Sequence, residues 1–288
     1  MLMNGIDLLS VANANHFAVP AFNVSDYAMM NGIFEISEEK ESPVIIAIHP
    51  DELSHIGVDM LPAIISRAHR SSVPVTIHLD HGGTYEQVLL AIKSGFTSVM
   101  LDGSMLPFDE NVAITKKIAD TAHAVGLSVE GELGTIGKLD EQAEDGVAAS
   151  NIIYTDPDDA VRFVRATGVD SLAIAIGTSH GIYPKGLKAE LKLDLLQRIR
   201  SKVSIPLVLH GGSNNPDAEI GQSVVLGINK INISSDIKVA YHNKMREVMA
   251  DLTLREPNTI QPPCIAAMKE TAAQKIDLFN AAGKAKLY

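Results

Sequence analysis

The sequence predicts an α/β chain folded as a (β/α)8 TIM barrel with extra C-terminal helices. Three observations predict it. Eight short apolar runs lack strict in–out alternation, the pattern of parallel strands buried on both faces. Each run passes through a polar turn into an amphipathic stretch long enough for a right-handed crossover. The polar residues of the runs gather at their C-terminal ends, where barrels of this kind carry their chemistry.

In chain order, Ala18 to Val24 is the first strand, and a helix follows from Asp26 to Glu41, with Ser25 or Asp26 placed to cap it. Val44 to Ile48 is a continuous apolar strand, followed by a helix over Val58 to Ser71 that carries Pro62 in its first turns, where proline is best tolerated. Val75 to His81 enters behind Pro74 as the third strand, and Thr84 to Ser94 is its helix. Ser98 to Asp102 is the fourth strand, with a helix from about Phe108 to Val125. Leu127 to Leu133 is the fifth, and a long polar stretch, Gly134 to Thr155, separates it from the helix Asp158 to Thr167. Ser171 to Ile176, Pro206 to Leu209 and Lys230 to Ile233 complete the eight. Their helices run over about Asp194 to Lys202, over Asp217 to Leu226, and on to about Ala250. The tail, Pro262 to Lys286, reads as one or two further helices outside the barrel, within an extension of about residues 256–288. No 20- to 50-residue repeat and no low-complexity linker interrupts the pattern, so residues 1–288 read as a single barrel domain.

Composition narrows the function classes. The chain has 288 residues, 46% of them hydrophobic, which is enough for a full core. Its net charge of -11 and the absence of any basic block argue against nucleic acid and anionic membranes as partners. A phosphorylated ligand would then need a local positive site, from a metal or backbone amides. The single cysteine, Cys264, leaves no disulfide framework, and with no signal-like N-terminus a reducing, cytoplasmic setting is expected.

The strand ends supply the candidate site. Asp80 and His81 end the third strand, Asp102 the fourth, and His210 the seventh; His180 follows the sixth. Glu130 and Glu132, two apart on the fifth strand, share a face. Three histidines at one barrel mouth suit a divalent metal, and three protein ligands with an open position describe catalytic zinc. Asp80 could be a general acid/base or simply orient an imidazole; Glu130, Glu132 and Asp102 could hold another metal position or close a polar layer. His78 could support a ligand from behind or be a hydrogen-bonded core residue. His16, His49, His55, His69, His123 and His242 read as surface or packing residues. The sequences His210-Gly211-Gly212-Ser213 and Asn232-Ile233-Ser234-Ser235 end the seventh and eighth strands, where barrels most often bind phosphate through amides and hydroxyls. Gly181 could contribute from the sixth.

The motifs LDHGG, VEGELG, AIGTSHGIY, LVLHGGS and KINISSD, in this order, resemble the class II, metal-dependent ketose-bisphosphate aldolases. AFNVSDY, SPVII and KIDLFNAAGKA extend the resemblance over nearly the whole chain. It implies reversible cleavage of a phosphorylated ketose, such as fructose or tagatose 1,6-bisphosphate, to dihydroxyacetone phosphate and an aldehyde. It implies zinc on His81, His180 and His210 as Lewis acid for the enediolate, and Asp80 as acid/base at the C4 hydroxyl. Gly181, Gly211, Gly212, Ser213, Asn232, Ile233, Ser234 and Ser235 become the dihydroxyacetone-phosphate site, with a monovalent cation (Na+ or K+) near their carbonyls. Asp102 and Glu132 match a secondary metal position. The stretch Gly134 to Thr155 matches a catalytic loop whose glutamate moves a proton at the dihydroxyacetone-phosphate carbon; Glu144 is the choice here and Glu141 the competitor. A homodimer or homotetramer is implied.

Two departures bear on substrate. The loop after the second strand reads IHPDELSH, so His49 and Pro50 stand where relatives carry a serine segment near the distal phosphate. NNP follows LHGGS where a glycine turn is usual. Other readings compete. A non-catalytic barrel subunit supporting a partner aldolase has no need of Asp80 and three histidines together. A metal-dependent barrel hydrolase would place a His-x-His pair on the first strand, which has no histidine. A Schiff-base aldolase would need Lys230, which starts its strand and is expected to point away from the site.

Overall fold

The computed structural model describes residues 1–135, 137–138, 152–180 and 190–288, with the backbone alone for Gly137, Lys138 and His180. Eight parallel strands close into a barrel: β1 (Val19–Asn23), β2 (Val44–Ile48), β3 (Val75–Gly82), β4 (Ser98–Leu101), β5 (Ser128–Leu133), β7 (Ser171–Ile174), β9 (Leu207–Leu209) and β10 (Ile228–Ile233). Pairing of Val19 with Lys230 through Phe22 with Ile233 joins the first strand to the last. Among the described residues two further strands, β6 (Gly137–Lys138) and β8 (Ser179–His180), pair in parallel apart from the barrel, placing the His180 backbone opposite Lys138.

The expected helices follow their strands: α2 (Tyr27–Glu39), α4 (Leu61–Arg70), α5 (Tyr85–Lys93), α6 (Phe108–His123), α7 (Pro157–Thr167), α8 (Leu193–Arg200), α9 (Asp217–Val225) and α10 (Ser235–Val248). Asp26 caps α2 through a 2.7 Å bond from the Met29 amide. The tail forms one α-helix, α11 (Pro257–Leu278), which packs on α10 and α2, and a short 3-10 turn at Ala285–Leu287. Gly32 permits this approach, because a Cβ there would lie 2.7 Å from Ile265 Cγ2. Two helices were not expected from the sequence. The first, α1 (Gly5–Ala14), packs against β3, β5 and β10, and its Gly5 amide donates to Ser128 Oγ at 2.9 Å. The second, α3 (Pro50–Ile56), occupies the stretch after β2 that read as loop, and only Leu61 onward forms the α-helix expected from Val58. Among the described residues, no helix is long and apolar enough to cross a membrane.

Apolar residues fill the layer between strands and helices, with Phe22, Phe34, Ile46 and Phe163 fully enclosed. The inside of the barrel is different. In β3, Thr76, His78 and Asp80 alternate with Val75, Ile77 and Leu79; in β5, Ser128, Glu130 and Glu132 alternate with Val129, Gly131 and Leu133. All six of these polar residues are buried. These two strands do alternate, therefore, but with polar residues turned into the barrel, where Asp80, His78 and Glu130 bond to side chains of other strands and Thr76 and Ser128 to the backbone of Met3 and Gly5.

Candidate active site

Asp80 lies at the inner end of β3, 4% exposed. Its two oxygens are held by two amides: Asn23 Nδ2 donates to Oδ2 at 2.8 Å from the end of β1, and Asn232 Nδ2 to Oδ1 at 2.8 Å from β10. Burial acts to raise the Asp80 pKa, but the facing His81, His210 and Lys230 outweigh it and hold the carboxyl well below its ordinary range. The strand then turns sharply. His81 adopts φ 49°, left-handed and uncommon for a non-glycine residue, and the β3–β4 register shifts between Leu79 and Gly82. Gly82 is required next, since a Cβ there would lie 2.5 Å from the Met100 carbonyl oxygen.

This turn brings His81 to His210. His81 Nε2 and His210 Nδ1 are 2.8 Å apart, and the rings meet edge to face. The other nitrogens face carboxylates: His81 Nδ1 is 3.0 Å from Asp102 Oδ2, and His210 Nε2 is 2.7 Å from Glu130 Oε1. With each contact a hydrogen bond, the two rings share three protons and one positive charge. Burial acts to lower the His210 pKa, but the facing Glu130 and Glu132 carboxylates outweigh it and push it up to about 10. His81 is raised for the same kind of reason: burial is outweighed by Asp80, Asp102 and Glu132. Glu132 Oε2 lies 3.3 Å from His210 Nδ1, yet it is buried without a well-directed hydrogen bond.

These donors fit a cation. Among the described residues, two groups have ligand atoms within 4.8 Å of one another: Asp80, His81 and His210, and His81, Asp102 and Glu132. The orphaned Glu132 oxygen is what a cation would satisfy. Glu130 is not available for that role. Its oxygens are taken by His210 and by Lys230 Nζ, which is 2.8 and 2.7 Å away. Lys230 thus corrects the expectation that it points away from the site: β10 begins at Ile228, which turns Lys230 into the barrel directly beneath the histidines. His78 proves to be a hydrogen-bonded core residue, with Nδ1 2.7 Å from Ser98 Oγ and Nε2 3.5 Å from Lys230 Nζ. Burial first, then Lys230, lowers its pKa to about 3, so it is neutral.

Above these groups opens a cavity of about 540 Å³. Gly211, Ser213, Ser234 and Ser235 line one side. Gly211 takes φ +61°, and a Cβ there would lie 2.8 Å from the Ser179 carbonyl oxygen. Asn215 Nδ2 ties the loop by donating to the Gly211 and Ser213 carbonyls at 2.7 and 2.9 Å. Ser213 Oγ accepts from the Ser234 and Asp236 amides, both at 3.3 Å, at the start of α10. A helix N-terminus with hydroxyls beside it favours an anion. Three of the expected phosphate residues make contacts elsewhere, Asn232 through the amide it gives to Asp80. The Ile233 side chain is in the apolar core, and Gly212 packs against β10, donating to the Asn232 carbonyl at 3.1 Å.

The cavity is also lined by residues that the sequence reading missed or misplaced. Glu52 of α3 accepts from Lys238 Nζ at 2.5 Å and from the His49 amide at 2.8 Å. His49, read as a surface or packing residue in the loop that stands near the distal phosphate of relatives, caps α3 and lines the cavity. Asn23 obeys the same strand-end rule as the histidines and was legible by it; Glu52 and Lys238 lie on helices and carried no such signal. Glu144, Glu141 and Gly181 lie outside the described residues, and of His180 only the backbone is placed, in β8 after β7.

The model of the family Fructose-bisphosphate aldolase class-II matches residues 3–284. The chain belongs to this family. The YdjI aldolase from Escherichia coli K12 shares 36% identity over 99% of this chain and 100% of its own, with a TM-score of 0.88. A candidate fructose-1,6-bisphosphate aldolase from Coccidioides immitis shares 29% over 99% of both chains, with a TM-score of 0.85. A fructose-bisphosphate aldolase from Campylobacter jejuni, at 21% identity over 98% of this chain and 96% of its own, shares the fold with a TM-score of 0.82. The class II family is metal-dependent, in keeping with the donor groups on β3 and β5 and just beyond the ends of β4 and β9.

Proposed function

We propose that this aldolase uses zinc to cleave, reversibly, a phosphorylated ketose to dihydroxyacetone phosphate and an aldehyde. Fructose 1,6-bisphosphate, tagatose 1,6-bisphosphate or a related ketose phosphate is the substrate. The observation that carries the reading is the clamped Asp80 carboxylate beside His81 and His210, on the floor of a cavity walled by Gly211, Ser213 and the start of α10.

His81, His180 and His210 would hold the zinc. When bound, zinc supplies Lewis-acid stabilisation of the negative charge that develops on the ketose oxygens. Asp80 takes the C4 hydroxyl proton during cleavage and returns it during condensation. Asn23 and Asn232 fix both oxygens, so the carboxylate stays in one orientation through both directions. Gly211, Ser213, Ser234 and Ser235 hold the phosphate of the three-carbon half, with Gly181 joining them and a monovalent cation near their carbonyls. Glu144, with Glu141 as its competitor, moves the proton at the dihydroxyacetone-phosphate carbon. Asp102 and Glu132 offer a secondary metal position. The protein works in the cytoplasm as a homodimer or homotetramer.

The test is cleavage of fructose and tagatose 1,6-bisphosphate side by side, before and after chelation, with zinc added back. Activity on either that disappears with chelator and returns with zinc is the expected result. Activity that survives complete removal of metal overturns the reading.

A further inference from the structure

We propose that Lys230 and Glu130 form a buried positioning pair that commits His210 to offer Nδ1 to the metal. The inference rests on the zinc reading above.

The pair is enclosed, with Lys230 1% and Glu130 2% exposed. A buried ion pair is weak evidence for stability, because desolvation of both ions offsets their attraction. What this one does is geometric. Lys230 Nζ reaches three acceptors: Glu130 Oε1 at 2.8 Å, Glu130 Oε2 at 2.7 Å and His78 Nε2 at 3.5 Å. His78 is itself fixed by Ser98 Oγ at 2.7 Å on its other nitrogen. The ammonium is therefore held from two sides, and it holds Glu130 in turn. Glu130 Oε1 lies 2.7 Å from His210 Nε2. A carboxylate only accepts, so that nitrogen carries a proton, and Nδ1 is the nitrogen turned toward His81 Nε2, 2.8 Å away, with Glu132 Oε2 3.3 Å from it.

Asp102 treats His81 in the same way from the other side, taking Nδ1 at 3.0 Å and leaving Nε2. The two carboxylates differ in surroundings. The Asp102 side chain is 28% exposed, whereas Glu130 is sealed in the barrel near Glu132, 1% exposed, and Asp80, 4% exposed. Lys230 supplies a fixed positive charge among these carboxylates, so the ring orientation is set before any metal arrives. Such preorganisation of a ligand from behind is typically worth 10–100-fold in metal affinity. The enclosed ammonium also leaves Lys230 out of covalent chemistry: its donors are turned into the barrel.

The experiment compares chelator-stripped native protein, Lys230→Met, and the double variant Glu130→Leu/Lys230→Met. Zinc affinity is read by competition with a chromogenic chelator, alongside the metal-free thermal midpoint. The double variant removes both charges together, so neither is left buried alone. The expected result is a double variant with a near-native midpoint and zinc bound about 10–100-fold more weakly. Lys230→Met should lose both midpoint and affinity. In ¹⁵N-histidine spectra of the native zinc form, His210 should carry its proton on Nε2. Native zinc affinity in the folded double variant, or a His210 proton on Nδ1, overturns the proposal. Absence of zinc binding by the native chain overturns the zinc reading itself, and it is seen before any substitution is made.

Discussion

Replacement of Asp80 by Asn tests the acid/base assignment with little steric disturbance. The side chains have the same shape, and Asn tolerates the turn that begins at His81. Both Asp80 oxygens now accept amide protons at 2.8 Å. In the variant one oxygen becomes NH2, and either Asn23 or Asn232 must turn its amide over to meet it. Loss of a positioned acid/base costs ~10²–10⁴ in rate. Asp80 is held well below the ordinary carboxylate range, so it is a weak base for a sugar hydroxyl and acts more through position than basicity. The lower half of the range is therefore expected, ~10²–10³ in kcat, or about 3–4 kcal/mol at 1.36 kcal/mol per tenfold. Initial rates with fructose and tagatose 1,6-bisphosphate, read as dihydroxyacetone phosphate release, give kcat; chelator competition gives zinc affinity. The expected variant binds zinc like the native protein and turns over slowly. Retention of more than a tenth of native kcat would refute the assignment. Loss of zinc in proportion to activity would refute it differently, by making Asp80 a metal ligand, which its grouping with His81 and His210 allows geometrically.

Further predictions follow from the same geometry. Asn23→Ala removes one of the two amides on Asp80 and should lower kcat about tenfold, the scale of one hydrogen bond to a charged group, while zinc affinity stays native; unchanged kcat would show that Asn232 alone suffices. Gly211→Ala places a side chain at φ +61° with its Cβ 2.8 Å from the Ser179 carbonyl oxygen. It should cost roughly 1–2 kcal/mol in denaturant unfolding and weaken dihydroxyacetone-phosphate binding; a variant equal to native in both would separate that loop from the phosphate. The metal-free protein should lose stability as pH rises. The His210 pKa is raised to about 10 in the fold, so its contribution is complete below the unfolded value near 6.5 and is lost between there and about 10. Zinc competes with the ring protons, so zinc affinity should rise over the same window. Calorimetry with and without chelator across that range measures both trends, and a metal-free midpoint that climbs with pH would contradict the assigned sign.

The barrel was legible because every strand is a short apolar run bounded by turn residues, and because a buried parallel sheet needs nothing more specific. Two helices were not. In α3, seven residues follow a histidine N-cap, and imidazole is not among the usual capping groups, although His49 and Glu52 build a full capping box. The α1 helix has few features of its own and is secured by docking against the barrel strands. The strand-end rule found Asp80, His81, Asp102 and His210, since position on a parallel strand alone places them at the mouth. It missed what depends on pairing across the barrel. Nothing local in KINISSD tells that Lys230 meets Glu130 from β5, or in AFN that Asn23 meets Asp80 from β3. The apolar runs also concealed a second pattern: in β3 and β5 the inward positions are polar at every other residue, which an apolar barrel centre would not tolerate. Such a chain must satisfy each buried donor and acceptor from another strand, and the satisfied sequence Ser98, His78, Lys230, Glu130, His210, His81, Asp102 returns to the element on which it began, with Ser98 on β4 and Asp102 just beyond that strand's end. Replacement of an interior member is thus expected to disturb the two histidines even where it touches neither, and that coupling distinguishes a site held by the barrel from one held by its loops.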